Sequence, residues 1–204
     1  METSIIFSQS NSEQLARVHI LGSIELQQQM IQVCLASIVL AAEVITQAIH
    51  QGGKLLLCGN GSSAADCQHL AGEFINCLNQ DFPREGLPAI ALTTDTSILT
   101  SIANDRDYQY IFERQVWSLG RPDDVLLGIS TSGRSANVLQ AVKAAQQLGI
   151  RTTALTGSEG TLGEMVEVAI QVPHHKTQHI QEAHLVIEHI LCQLVEVHLF
   201  GERN

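Results

Sequence analysis

KLLLCGNGSSAAD, residues 54–66, decides the fold. Lys54–Cys58 is an aliphatic run with no alternation between faces, and Gly59 ends it. Such a run predicts a strand buried on both sides, which needs helices above and below it and hence a parallel sheet. Gly59-Asn60-Gly61-Ser62-Ser63 then turns the chain, and Ser63 opens a helix predicted to reach Asn76. A strand, a glycine-rich turn and a helix make the first half of a βαβ unit.

The same pattern recurs downstream. Pro88–Leu92, Asp124–Ile129, Arg151–Leu155 and Val166–Val172 are further short aliphatic runs bounded by Gly, Pro, Asn or Ser. Helical sequence lies between them at Ser97–Asn104, Tyr110–Leu119, Ser135–Leu148 and near Leu162, and a long final helix spans Thr177–Leu199. The expected fold class is α/β, a doubly wound five-stranded parallel sheet. Upstream, Ser12–Gln51 reads as helix throughout, with Leu, Ile, Val and Ala at three- and four-residue spacings and no proline. Gly22 predicts a break or a close helix contact. Residues 1–204 read as a single domain, with 1–51 an N-terminal helical extension and 52–204 the α/β core and C-terminal helix. The extension carries more apolar surface than one small sheet can cover, which predicts a homo-oligomer, a tetramer.

The 204 residues, 45% hydrophobic, supply one sizeable core. A net charge of −10 with scattered Lys and Arg argues against nucleic-acid and anionic-membrane partners. The start, METSIIFSQSNSEQ, lacks the basic and apolar segments of a secretory leader, and the apolar stretch Ile38–Ile45 is interrupted by Glu43. Five cysteines without CxxC pairing read as reduced thiols of a cytoplasmic protein.

Two strand-to-helix loops are rich in Gly and hydroxyl residues: Gly59–Ser63 and Ser130-Thr131-Ser132-Gly133-Arg134-Ser135. In an open parallel sheet ligands bind beyond the carboxyl ends of the strands, where unpaired N–H groups and the helix dipole suit a phosphate. Neither loop is a Walker A or a GxGxxG sequence, which argues against nucleotide chemistry. Either alone is an ordinary capped turn; two after different strands favour an anion site.

His69 and Glu73 lie four apart on the helix after the first loop, so they share a face. That pair reads equally as a general base with its neighbour, as two metal ligands, or as a solvated surface pair. The last helix offers Gln181, His184 and His189, the last inside the apolar run Val186–Leu191, where a histidine is usually a hydrogen-bonded core residue.

Cys58–Asp66, Ile129–Ser135 and Ile180–His184, with His69 and Glu73, resemble the phosphoheptose (sedoheptulose 7-phosphate) isomerases of the sugar isomerase (SIS) fold group. The similarity runs from about Gln51 to Leu199. It implies an aldose–ketose isomerase with Glu73 and His189 catalytic. It implies that Asn60, Gly61, Ser62, Glu73, Asn104, Asp105 and Gln181 contact the sugar, and that Ser130, Thr131, Ser132 and Ser135 hold its phosphate. It also implies one zinc per subunit, held by His69, Glu73, Gln181 and His189, and no organic cofactor. Gln181 and His189 are roughly 12 Å apart along one helix, so both reach one ion only by leaning together or by coming from different chains. Two positions depart from the family pattern: Ser62 replaces a glycine, and Cys77 stands where an arginine follows the catalytic glutamate, leaving Arg84 or Arg106 to compensate. The rival readings are a non-enzymatic branch that binds the replication initiator, which lacks the Glu73 carboxylate, and an isomerase of another sugar phosphate. A sugar-sensing regulator would need a helix-turn-helix domain, for which the first fifty residues are poorly suited.

Overall fold

The computed structural model describes residues 9–201 apart from residue 82, so the reading of the first eight residues as leaderless lies outside the described part. Five strands, β1 (Leu55–Gly59), β2 (Ala89–Ala91), β3 (Val125–Ser130), β4 (Arg151–Gly157) and β5 (Val168–Val172), form one sheet. Their order is β2-β1-β3-β4-β5 and every pairing is parallel. Among the described residues eight helices surround it: α1 (Gln9–Val33), α2 (Leu35–His50), α3 (Ser62–Ile75), α4 (Thr96–Asp105), α5 (Glu113–Leu119), α6 (Ala136–Gln147), α7 (Leu162–Met165) and α8 (Thr177–Phe200). A 3-10 turn, Tyr108–Tyr110, precedes α5.

The unalternating strands are buried on both sides because successive side chains enter two different cores. Leu55, Leu57, Val125, Leu127 and Ile129 pack with α2, α3 and α8, whereas Leu56, Cys58 and Leu126 pack with α5 and α6. Strand ends agree with the sequence reading to within two residues. By length and composition alone α8 would suffice to cross a membrane; here it is a core helix packed on α2, α3 and the sheet.

Of the two expectations at Gly22, the close helix contact holds and the break does not. The chain does not break at Gly22, which sits inside α1; it bends by 70° at Cys34, between α1 and α2. Cys34 is fully buried and its Sγ donates to the Gln171 carbonyl at the edge strand β5, so tertiary anchoring rather than a helix-breaking residue sets the corner. Gly22 instead marks a close approach of α1 to α8: a Cβ there would lie 3.3 Å from His179 Nε2. At that contact Glu182 accepts from His19 at 2.5 Å and from His179 at 3.1 Å. Burial opposes the Glu182 charge, yet hydrogen bonds from His19, His179 and Ser23 hold its carboxyl down at about 2.

Candidate active site at the switch point of the sheet

In this strand order the chain leaves β1 to one side and β3 to the other, so the crevice opens beyond the carboxyl ends of β1 and β3. The two hydroxyl-rich loops follow those two strands and therefore face each other. A reciprocal amide pair joins them: Asn60 Nδ2 donates to Asn137 Oδ1 and Asn137 Nδ2 donates to Asn60 Oδ1, both at 2.8 Å. Tyr108 Oη also donates to Asn60 Oδ1, at 3.0 Å. The sequence reading named Asn60 but missed Asn137 and Tyr108. An Asn in the first turn after the second loop was the available signal.

Gly61 (φ +58°) and Gly133 (φ +61°) make the two turns in a backbone region that L side chains resist. Neither Gly61 before α3 nor Ser135 before α6 caps its helix through a side chain, and at α6 Asn137 Oδ1 accepts only the Val138 N–H, so further N–H groups at both helix starts can meet a ligand. In the second loop Ser130 and Ser135 pair through their hydroxyls at 2.9 Å, and the Arg134 N–H donates to Ser132 Oγ. Ser130 is buried, Thr131 and Ser135 are half-buried and Ser132 is exposed, so the hydroxyls descend from the rim into the crevice.

α3 and α8 pack side by side and meet at two points. Near their starts, Gln181 Nε2 donates to Ser62 Oγ. Further along, His69 Nε2 lies 2.9 Å from His189 Nε2, the rings meeting edge to face, and Glu73 Oε1 stands 3.9 Å from His69 Nε2. The contacts separate by roughly 10 Å along α3 and 12 Å along α8, so the helices run in the same direction. His69 thus touches both His189 and Glu73, while Gln181 joins the first loop. His69, His189 and Glu73 do not bring one ligand atom each within 4.8 Å of one another, so to share a borderline cation such as zinc Glu73 would have to swing toward His189.

Three further polar groups of α3 and α8 are buried in whole or in part, and of these sequence reasoning named His184 and Asp66 but not Glu188. Glu188 is fully buried with both oxygens unpartnered; burial, and then Asp66, push it up to about 9. Burial likewise raises Asp66, with His69 opposing. His184 is fully buried, and burial drives it down to about 4, opposed only by a weak hydrogen bond with the Thr156 backbone.

Asn104 and Asp105 end α4 on the surface, where Asn104 Nδ2 donates to Asp105 Oδ1. Arg106 is exposed. Arg84 is not available to replace the arginine missing at Cys77. Its guanidinium is buried, pairs with Glu196 at 2.7 Å, and donates to the carbonyls of Glu73 and Phe74 at 2.7 Å each. It closes the end of α3 instead of facing a ligand.

A doubly wound five-stranded sheet with paired hydroxyl-rich loops at its switch point defines an SIS domain, and residues 19–157 match that family. The phosphoheptose isomerase of Roseiflexus sp. (strain RS-1) is 50% identical over 182 residues, 89% of this chain and 91% of that one. The solved phosphoheptose isomerase of Neisseria gonorrhoeae superimposes with a TM-score of 0.84 at 42% identity, covering 90% of this chain and 97% of that one. That of Francisella tularensis gives 0.86 at 36%, covering 91% and 98%. The chain belongs to the phosphoheptose isomerase family.

Proposed function

We propose that this protein interconverts sedoheptulose 7-phosphate and D-glycero-D-manno-heptose 7-phosphate through an enediol(ate). The observation that carries this reading is the meeting of Glu73 and His189 at His69, one face of α3 away from two linked anion-binding loops. Ser130, Thr131, Ser132, Ser135 and the open N–H groups of α6 take the phosphate. Asn60, Gly61, Ser62, Asn104, Asp105 and Gln181 take the sugar hydroxyls.

With the phosphate anchored, Glu73 removes the proton from C1 of the ketose and returns it to C2. His189 carries the matching proton between the O2 and O1 ends, and His69 orients it from 2.9 Å. No atom is gained or lost, and no organic cofactor enters. His69, His189 and Glu73 are the residues that would hold a zinc ion, with Gln181 reaching it only by leaving Ser62. An ion held there would supply Lewis-acid stabilisation of the enediolate charge. Glu73, present here, is the feature that favours an enzyme over a binding protein.

We assign the functional unit as a homotetramer. The exposed apolar side chains of α1 and α2, among them Ile31 and Val33 at 61% exposure each, support a face that another copy covers. Five free cysteines support a reducing, cytoplasmic location for the chain.

The test is substrate turnover with NMR detection of C1 or C2 hydrogen exchange in heavy water. Glu73→Gln retains sugar-phosphate binding and loses exchange. His189→Gln lowers turnover, and the double variant is little worse than either single. Undiminished turnover in Glu73→Gln overturns the mechanism.

A further inference from the structure

A second set of metal-ligating side chains lies outside this site. His19 on α1 and His179 and Glu182 on α8 bring one ligand atom each within 4.8 Å of one another, and among the described residues no other trio of His, Cys, Asp or Glu does so. Glu182 stands between the imidazoles, 2.5 Å from His19 Nε2 and 3.1 Å from His179 Nδ1. The two rings are 4.3 Å apart, centre to centre. His179 and Glu182 are three apart on one helix, a spacing that directs both side chains to one point, as in the Glu-x-x-His pairs of metal-binding bundles. The His179 side chain is only 4% exposed, so its ring is already fixed, while His19 and Glu182 remain open to solvent at 43% and 38%. Gly22 is what permits the approach, since any side chain there would crowd His179. The neighbouring His174, whose ring centre lies 5.0 Å from that of His179, brings no ligand atom into this group.

We propose that His19, His179 and Glu182 form a second, structural cation site that clamps α1 onto the first two turns of α8. Two imidazole nitrogens and a carboxylate select a zinc-class ion over magnesium or calcium, and a water completes the shell. The site is independent of the isomerase reading. It sits beside Gln181, so a cation there also stiffens the helix turn that presents Gln181 to Ser62.

The experiment uses metal-stripped protein and zinc alone, titrated against a chromophoric chelator. A His69→Gln/His189→Gln background removes the other zinc-compatible set. This background binds about one zinc per chain. At a hundredfold excess over its dissociation constant, zinc raises the melting temperature by roughly 5–10 °C. Adding His19→Gln, at a half-exposed position, weakens that zinc at least tenfold without altering the circular dichroism of the metal-free protein. Cobalt in place of zinc gives a visible four-coordinate spectrum in the background and loses it with His19→Gln. No zinc uptake by the background at 100-fold molar excess, or uptake indifferent to both His19→Gln and Glu182→Gln, overturns the proposal. Neither result bears on turnover by the wild type, which tests the isomerase reading separately.

Discussion

Replacing Arg84 separates a structural cation from a substrate ligand. The guanidinium is 0% exposed and its partner Glu196 is 5% exposed, with 2.7 Å between them. Further hydrogen bonds reach the carbonyls of Glu73, Phe74 and Glu85 at 2.7, 2.7 and 3.0 Å. Arg84→Met leaves the Glu196 carboxyl buried with the Leu78 N–H at 3.3 Å as its main remaining support. Removing one partner of a buried pair costs about 3–5 kcal/mol. For a chain of this length that is a fall of roughly 6–20 °C in melting temperature, at about 2–4 °C per kcal/mol. Arg84→Lys keeps the charge but not the planar fork and falls between. Arg84→Met/Glu196→Met recovers most of the loss, because no unpaired charge remains. Calorimetry at one fixed protein concentration reads all three variants, and turnover near the wild-type melting onset reads KM. A loss below about 1 kcal/mol accompanied by a tenfold rise in KM refutes the structural assignment and returns Arg84 to the substrate.

Other outcomes follow from groups already placed. His184 has its pKa lowered from 6.5 to about 4, so between those values the unfolded chain takes up a proton that the folded chain refuses. Stability is full above pH 6.5 and falls as pH drops toward 4, by about 3 kcal/mol from this group; urea unfolding of His184→Gln shows a shallower acid slope, and identical slopes count against the assignment. Ser130→Ala/Ser135→Ala lowers sugar-phosphate affinity by tenfold or more in calorimetric titration while unfolding barely changes; unchanged affinity removes the phosphate site. Burial pushes Cys58 and Cys192 up to about 12 and raises Cys67 well above the ordinary thiol range, whereas Cys77 is half-exposed. Native-state alkylation followed by mass spectrometry therefore labels Cys77 first, and early labelling of Cys58 contradicts the packing.

How much of this could be read from sequence depended on whether the determinant was local. The strands were legible because an aliphatic run such as Leu55–Leu57 announces burial on both faces without reference to its neighbours. The loops were legible because Gly61, Gly133 and the serines around them are local turn chemistry. The bend at Cys34 was not, since a buried thiol bonded to Gln171, across 137 positions of chain, leaves no trace in its own segment. The site divided in the same way. The His69–Glu73 spacing is a helix-face argument, but its meeting with His189 depends on how α3 lies against α8. The fate of Arg84 was likewise invisible, because its partner Glu196 stands 112 residues away. Asn137 and Glu188 looked unremarkable in their segments and acquire meaning only from what surrounds them.

The strand order also governs how the chain is made. β1 finds its central partner in β3, not in β2 alone, so Leu55 must wait for Val125 to emerge from the ribosome before the middle of the sheet can zip. The lid on one face arrives later still, since Ile187, Leu191 and Val195 of α8 cover the layer that holds Leu55 and Leu127. A nascent chain halted before α8 exposes that aliphatic layer to solvent together with unpaired strand edges. Synthesis of this protein therefore has a vulnerable interval, from the appearance of β3 to the docking of α8, during which its aliphatic strands are open to aggregation.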